Sequence, residues 1–179
     1  MGTMVVMALG KDYTGQNCSL ARALELLGER WTMLIVRDAF YGVRRFTDFH
    51  THIGAPRAVL TERLHTLTEA GVLEKRQYQD GPARYEYVLT ESGERLWPTL
   101  YSLSRWGDDF LPDESGAHRL FLHVECGERL DSVGNCPACE RAVPPRDVEM
   151  RPGPAAKPDT DAVARALFEP RRLLTPLSL

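Results

Sequence analysis

The chain contains no run of roughly 18 apolar residues, which excludes a membrane-spanning helix. Its apolar opening, MGTMVVMALG, is too short for a secretory signal and lacks a basic n-region, so a cytoplasmic protein is expected. There is no Gly-rich phosphate loop, and no set of Ser, His and Asp has a spacing that supports nucleophilic catalysis, so no enzyme is expected. Positive charge is also not in excess, since 22 Lys and Arg face 25 Asp and Glu. Bulk charge therefore makes no case for a nucleic-acid partner, and any such case must come from its distribution. Cysteine is sparse. Cys18 stands alone while Cys126, Cys136 and Cys139 cluster, a pattern that suits a metal or redox site better than a disulfide framework.

What the chain does have is a strongly patterned stretch from Arg44 to Leu89. A short helix there leads through an Ile53-Gly54-Ala55 turn into a longer amphipathic helix from Pro56, a residue suited to the first helical position. Leu60, Leu64 and Leu67 recur at helical spacing and form one buried stripe. The opposite face carries Arg57, Ala58, Thr61, Glu62 and His65, the kind of side chains that can approach base edges. Gly71 then stops the helix, and LEKRQY and RYEYVL flank a Gly-Pro tip as two strands. A helix-turn-helix followed by such a hairpin is a winged DNA-binding unit. From Arg44 to Tyr85, seven Lys and Arg face five acids, a local excess of two that leaves the rest of the chain at −5. Lys75, Arg76 and Arg84 on the wing, with Arg44 and Arg45 ahead of the motif, are candidates for phosphate contact. Charged edge strands that favour solubility are the competing reading. Arg63, beside Leu64, suits a structural ion pair. His50 and His52 flank the turn without carboxylate neighbours and read as DNA-facing or surface groups.

In chain order, residues 1–16 form an arm and residues 17–112 the main domain. Asn17 is placed to cap a helix from Cys18-Ser19, which Gly28 ends, and Trp31 opens a second helix that Gly42 terminates. Thr90 caps a long helix, weakened at Gly93, whose apolar face includes Leu96, Leu100, Leu103, Trp106 and Phe110. With no evident intrachain partner, the Leu96–Phe110 face is expected to join a second copy of the chain. Residues 113–143 form a small Cys-containing β unit. Residues 144–179 comprise a Pro-rich linker, a short helix capped by Thr160, and a tail. The fold class is α+β, mainly α.

Several motifs coincide: Cys18 before the first helix, Gly28-x-x-Trp31, Arg45-Phe46-x-x-Phe49, Leu60-Thr61-x-Arg63-Leu64, Gly71-Val72-Leu73, and Tyr87-x-Leu89-Thr90 followed by Gly93. In this combination, from Cys18 to about Leu111, the chain resembles the HxlR-type winged helix-turn-helix transcriptional regulators. The resemblance implies a homodimer that binds a roughly palindromic double-stranded DNA operator, with repression the expected sign. It also implies contacts from Pro56, Arg57, Ala58, Thr61 and His65 on the recognition helix, and oxidant or electrophile sensing through Cys18. The sequence departs from many relatives where Gly54-Ala55-Pro56 replaces a Ser-type cap. A small-molecule effector at the dimer interface is the alternative switch, and Trp31, Phe40, Trp97, Tyr101 and Trp106 are either its lining or ordinary core.

The last constellation is His123-x2-Cys126-x9-Cys136-x2-Cys139. Two pairs at this spacing, joined by a short loop, can place four ligands around structural zinc, as in a zinc ribbon. Gly127 and Pro137 suit such turns, whereas Glu140 stands where a zinc knuckle usually has glycine. A metal-free hairpin and a thiol oxidoreductase using Cys136 and Cys139 are the competing readings, and a winged domain used for protein contacts alone is a third class of function.

Overall fold

The computed structural model describes residues 13, 15–111, 114–157 and 161–179. Residues 1–12 of the expected arm, and Thr160, the expected cap, lie outside these. Four helices open the fold: α1 (Ser19–Leu27), α2 (Thr32–Phe40), α3 (Phe46–Ile53) and α4 (Arg57–Glu69). Strands β1 (Leu73–Gln79) and β2 (Arg84–Leu89) pair antiparallel from Leu73 opposite Leu89 out to the tip, and Glu86 also bridges to Arg45 ahead of α3. The wing is therefore anchored at mid-length to the start of the helix-turn-helix.

Sequence periodicity explains α4 directly. Leu60, Leu64 and Leu67 are fully buried, while Arg57, Ala58, Thr61 and His65 are exposed. The helix starts one residue later than expected: Pro56 is the N-cap, and no side chain caps the helix. Cys18, likewise, occupies the N-cap of α1 instead of Asn17.

The long helix predicted after Thr90 is two helices, α5 (Glu91–Glu94) and α6 (Trp97–Phe110). Thr90 accepts a hydrogen bond from the Gly93 amide, as a cap should. The break falls at Arg95–Leu96, just past Gly93, where a Cβ would meet the Val72 carbonyl oxygen at 2.3 Å, so only glycine allows this packing. Helix α6 also has the intrachain partners that the sequence did not reveal. Trp97, Leu100 and Tyr101 are buried, and Phe121 from β3 (Arg119–His123) lies 5.5 Å from the Trp97 ring and 5.4 Å from that of Tyr101.

The largest correction concerns residues 144–179. Beyond the short antiparallel pair β4 (Asn135–Cys136) and β5 (Arg141–Ala142), the supposed linker contains a strand, β6 (Val148–Pro152), that pairs antiparallel with β3 and carries β7 (Arg171–Arg172) on its other edge. Val148 and Met150 are fully buried, so the Pro-rich composition misled by hiding a short alternating strand. Helix α7 (Ala162–Ala166) is capped by Asp161, which accepts from the Ala164 amide. The tail docks on the end of α2, with the Leu174 and Leu177 amides donating to the carbonyls of Phe40 and Gly42. A single hydrophobic core thus runs from Leu60 and Phe40 through Trp97 and Phe121 to Met150, Leu167 and Leu173.

Candidate nucleic-acid interface and metal centre

Helix α4 follows α3 across the Gly54-Ala55-Pro56 turn, and its uncapped first turn leaves amide groups available to an anion. The Arg57 guanidinium lies over the Phe46 ring at 5.2 Å, which holds it beside α3 without consuming its donors. Thr61 turns its hydroxyl back to the Arg57 carbonyl at 2.9 Å. His65 stands 4.0 Å from Glu69, one turn on. Arg63 is committed elsewhere, paired with Glu29 at 2.8 Å, as its place beside Leu64 suggested.

On the wing, Lys75, Arg76 and Arg84 are all exposed. Arg76 pairs with Glu74 at 2.7 Å, and that contact pulls the Glu74 carboxyl below its ordinary range. Lys75 lies 4.3 Å from the centre of the Tyr85 ring, and Arg45 packs over Tyr78 at 5.3 Å. Tyr78 and Tyr85 are exposed aromatics between basic groups, and sequence reasoning passed over both. Their signal was the aromatic interleaving of the two strands. Arg44 is half-buried, 3.6 Å from Glu86, and donates to the Leu174 carbonyl, so it ties β2 to the tail.

The histidines before the turn divide. His50 stacks on Phe46, whereas His52 is half-buried and has the carboxylate neighbours that the sequence did not show. It sits between Asp161 at 3.4 Å and the fully buried Asp38 at 3.9 Å, linking α3 to the start of α7. Burial raises the Asp38 carboxyl, against the pull of Arg37 at 2.7 Å. This network draws on residues far apart in sequence. Its one local hint was the Arg37-Asp38 pair inside the apolar helix α2.

The cysteine cluster assembles as the spacing suggested. His123 Nδ1 lies 3.3 Å from Cys126 Sγ and 3.4 Å from Cys139 Sγ, and Cys126 Sγ lies 3.4 Å from Cys136 Sγ. All four ligand atoms fall within 4.8 Å of one another. A tetrahedral zinc with bonds of about 2.0–2.3 Å needs ligand separations of about 3.5–3.8 Å, so the three close pairs would open by a few tenths of an ångström and the widest would close by about 1 Å. The supporting loops match each other. The residue after each second ligand has a left-handed backbone, Gly127 at φ 74° and Glu140 at φ 51°. Glu140 thus adopts the glycine conformation that its identity had put in doubt. Behind the ring, His123 Nε2 faces Glu125 at 3.7 Å, and Arg141 pairs with Glu125. With Nδ1 on a metal, Nε2 would carry the proton; Arg141 Nη2, now 3.3 Å from Nε2, would then have to turn wholly to Glu125 and leave that carboxylate as the acceptor for the ring. Burial opposes the Cys136 thiolate, yet hydrogen bonds from Cys126, the Cys139 amide and His123 bring the thiol down to about 7. Cys139 is pushed up to about 11, chiefly by Cys126. Three sulfurs and an imidazole so close can share one negative charge, whereas a dication would let all three thiols ionise.

Other expected groupings do not form. Phe40, Trp97 and Tyr101 are core, Trp31 is half-buried against it, and Trp106 is exposed, so these five residues do not enclose a common cavity. Cys18 is exposed on α1. Among the described residues, no helix is long and apolar enough to cross a membrane.

Known proteins agree with this architecture. The sequence profile of the HxlR-like helix-turn-helix family matches residues 26–115. The uncharacterized HTH-type transcriptional regulator Rv3095 of Mycobacterium tuberculosis is 42% identical over 154 residues, 86% of this chain and 96% of its own length. The corresponding regulator sll1512 of Synechocystis is 33% identical over 57% of this chain and 76% of its own. The crystal structure of PA1607, described as a candidate transcription factor, superposes with a TM-score of 0.60 at 31% identity, over 71% of this chain and 89% of that one. The match to Rv3095 takes in most of the chain and is not confined to the winged segment. With a buried stripe on α4, an exposed face opposite it and a basic wing, this chain belongs to the HxlR-like helix-turn-helix family and is a transcriptional regulator.

Proposed function

We propose that the chain acts in the cytoplasm as a homodimeric repressor on a palindromic operator, with α4 in the major groove and the wing on flanking phosphates. The observation that carries this reading is the two-sided character of α4. Its leucines are sealed in the core, and Arg57, Ala58, Thr61 and His65 stand free on the other side, with Pro56 at the helix entry. Arg57 is the group placed to read guanine, and the Ala58 and Thr61 methyls suit thymine. Lys75, Arg76, Arg84 and Arg45 supply phosphate contacts, while Arg44 acts from behind the wing.

Dimer formation is supported by what α6 leaves uncovered. Leu103, Trp106, Phe110 and Leu111 are each more than half exposed along its outer side. A second copy packing on that side would place two α4 helices in one two-fold assembly, which a palindrome requires. Exposure of Cys18 at the N-cap of α1 supports control of operator binding by oxidants or electrophiles. The deciding experiment is a footprint on the DNA upstream of the protein's own gene, with and without oxidant. A symmetric protected site is expected; the absence of a footprint, at protein concentrations that saturate binding to nonspecific duplex, would overturn the reading. Retention of the footprint after complete alkylation of Cys18 would remove the sensing role alone.

The cluster of His123, Cys126, Cys136 and Cys139 holds structural zinc in this reading. Its support is the convergence of four ligand atoms, all within 4.8 Å of one another, on two matched loops.

A further inference from the structure

A cavity of about 390 Å³ opens where α2, α3 and α6 meet the C-terminal β unit. Its walls include Arg37 and Tyr41 from α2, His52 from α3, and Arg119, Phe121 and Lys157 from the segment that follows α6. We propose that this cavity binds a small organic monocarboxylate with a flat apolar body, and that this ligand is an effector of the regulator.

The charges of the lining set the sign of the ligand. Arg37 is paired with Asp38 at 2.7 Å, and Asp108, also in the wall, shares Arg105 with Asp109, at 3.0 and 2.9 Å. Arg119 has no ion pair among the described residues, and its Nη1 is buried with no hydrogen-bond partner. Burial, together with the nearby Arg37, disfavours its charge, and Tyr41 and Asp38 compensate only in part. Lys157, at the rim, also has no ion pair among the described residues. Arg119, with Lys157 at the rim, is thus the lining cation left without an ion pair among the described residues. A buried guanidinium with a donor unused needs an acceptor, and a planar carboxylate matches its fork.

The shape sets the rest of the ligand. Tyr41 and Phe121, both buried, place their ring centres 6.5 Å apart with 34° between planes, so one wall is aromatic. The volume lies near the lower end for small-molecule sites, which suits one ring and a short side chain. A polyanion would leave charge unanswered against that wall. A monocarboxylate would not.

Position supplies the consequence. His52 belongs to the last turn of α3, two residues before the Gly54 that turns the chain into α4. A molecule that bridges Arg119 and the α2–α3 wall bears on the helix that sets the pose of α4. The regulatory half of the proposal rests on the DNA-binding reading, while the binding half does not.

Calorimetry on the full chain without DNA tests the site, using benzoate, trans-cinnamate and 2-naphthoate beside cinnamamide and inorganic phosphate. At least one carboxylate is expected to bind tenfold or more tightly than both cinnamamide and phosphate. Arg119→Gln should weaken it at least tenfold without lowering the melting temperature, since it removes an unanswered cation. Arg119→Lys, which keeps charge without the fork, should fall between. Equal affinity for cinnamate and cinnamamide, unchanged binding in Arg119→Gln, or no binding by any of the three carboxylates would overturn the site. Phosphate binding as tightly as the best carboxylate would overturn the ligand class. Operator affinity is then measured with the best carboxylate at saturation, where a change of threefold or more is expected. No change would overturn the effector role and leave the site standing, and a chain that binds no operator at all would count against the DNA-binding reading instead.

Discussion

The Tyr101 hydroxyl donates to the Asp131 carbonyl at 2.7 Å, tying helix α6 to the loop that leads into Cys136. It also lies 3.3 Å from the Leu130 carbonyl, and burial pushes the phenol up to about 12. Tyr101→Phe should cost about 1 kcal/mol at neutral pH, the usual net worth of such a bond, seen as a lower melting temperature. In the unfolded chain the phenol ionises near its ordinary value of about 10. Between that value and about 12, the unfolded state binds fewer protons than the native state, so the wild type loses stability as pH rises. The difference between wild type and Tyr101→Phe should therefore shrink above about pH 10. A constant difference up to pH 12 would mean that this hydroxyl does not stay protonated in the fold.

How much of this was legible in advance depended on range. The α4 stripe and the wing show in the sequence because their periods repeat within a dozen residues, and the cysteine cluster because both ligand pairs have short loops. Strand β6 was missed because only Val148 and Met150 mark its buried face and prolines surround it. Its partner β3 lies far upstream, so only the fold reveals the pairing. The partners of α6 were hidden for the same reason, as Phe121 comes from beyond the helix. Arg119 carried no signal in the sequence and His52 read as a DNA-facing or surface group, and only the fold sets them around one cavity with Arg37.

Arg57 and Lys75 should separate specificity from affinity. Arg57→Ala is expected to cost about 1–3 kcal/mol on the operator and to relax preference at one base position in each half-site. Lys75→Ala should weaken operator and nonspecific duplex alike, with the slope of log affinity against log salt reduced by about one. Anisotropy titrations at several salt concentrations distinguish these outcomes. A uniform loss from Arg57→Ala would demote that residue to a phosphate contact.

Zinc content is a direct measurement. The chain purified under reducing conditions should carry one zinc per copy, and cobalt exchanged into it should give the ligand-field spectrum of a tetrahedral thiolate site. Cys136 is fully buried and central to the cluster, so Cys136→Ser should abolish both signals. Chelation should lower the melting temperature by several degrees, because metal binding to the native state alone adds to folding stability. A metal-free chain that melts at the same temperature with added zinc would leave the cluster as a hydrogen-bonded core of thiols.

Glu140 gives a test of the loop geometry that does not depend on the metal. Its φ of 51° lies in the left-handed region, where a side chain costs roughly 1 kcal/mol relative to glycine, and Gly127 occupies the matching position at φ 74°. Glu140 is exposed, and none of its side-chain contacts accounts for the choice of glutamate. Glu140→Gly should therefore stabilise the chain, by up to about 1 kcal/mol less the entropy of the more flexible unfolded segment. Gly127→Ala should destabilise it by about 1 kcal/mol, since the same backbone would have to accept a Cβ. Opposite signs for the two substitutions in thermal melts are the expected result. If both destabilise equally, the second loop does not hold Glu140 in the left-handed conformation, and the likeness between the two ligand loops fails.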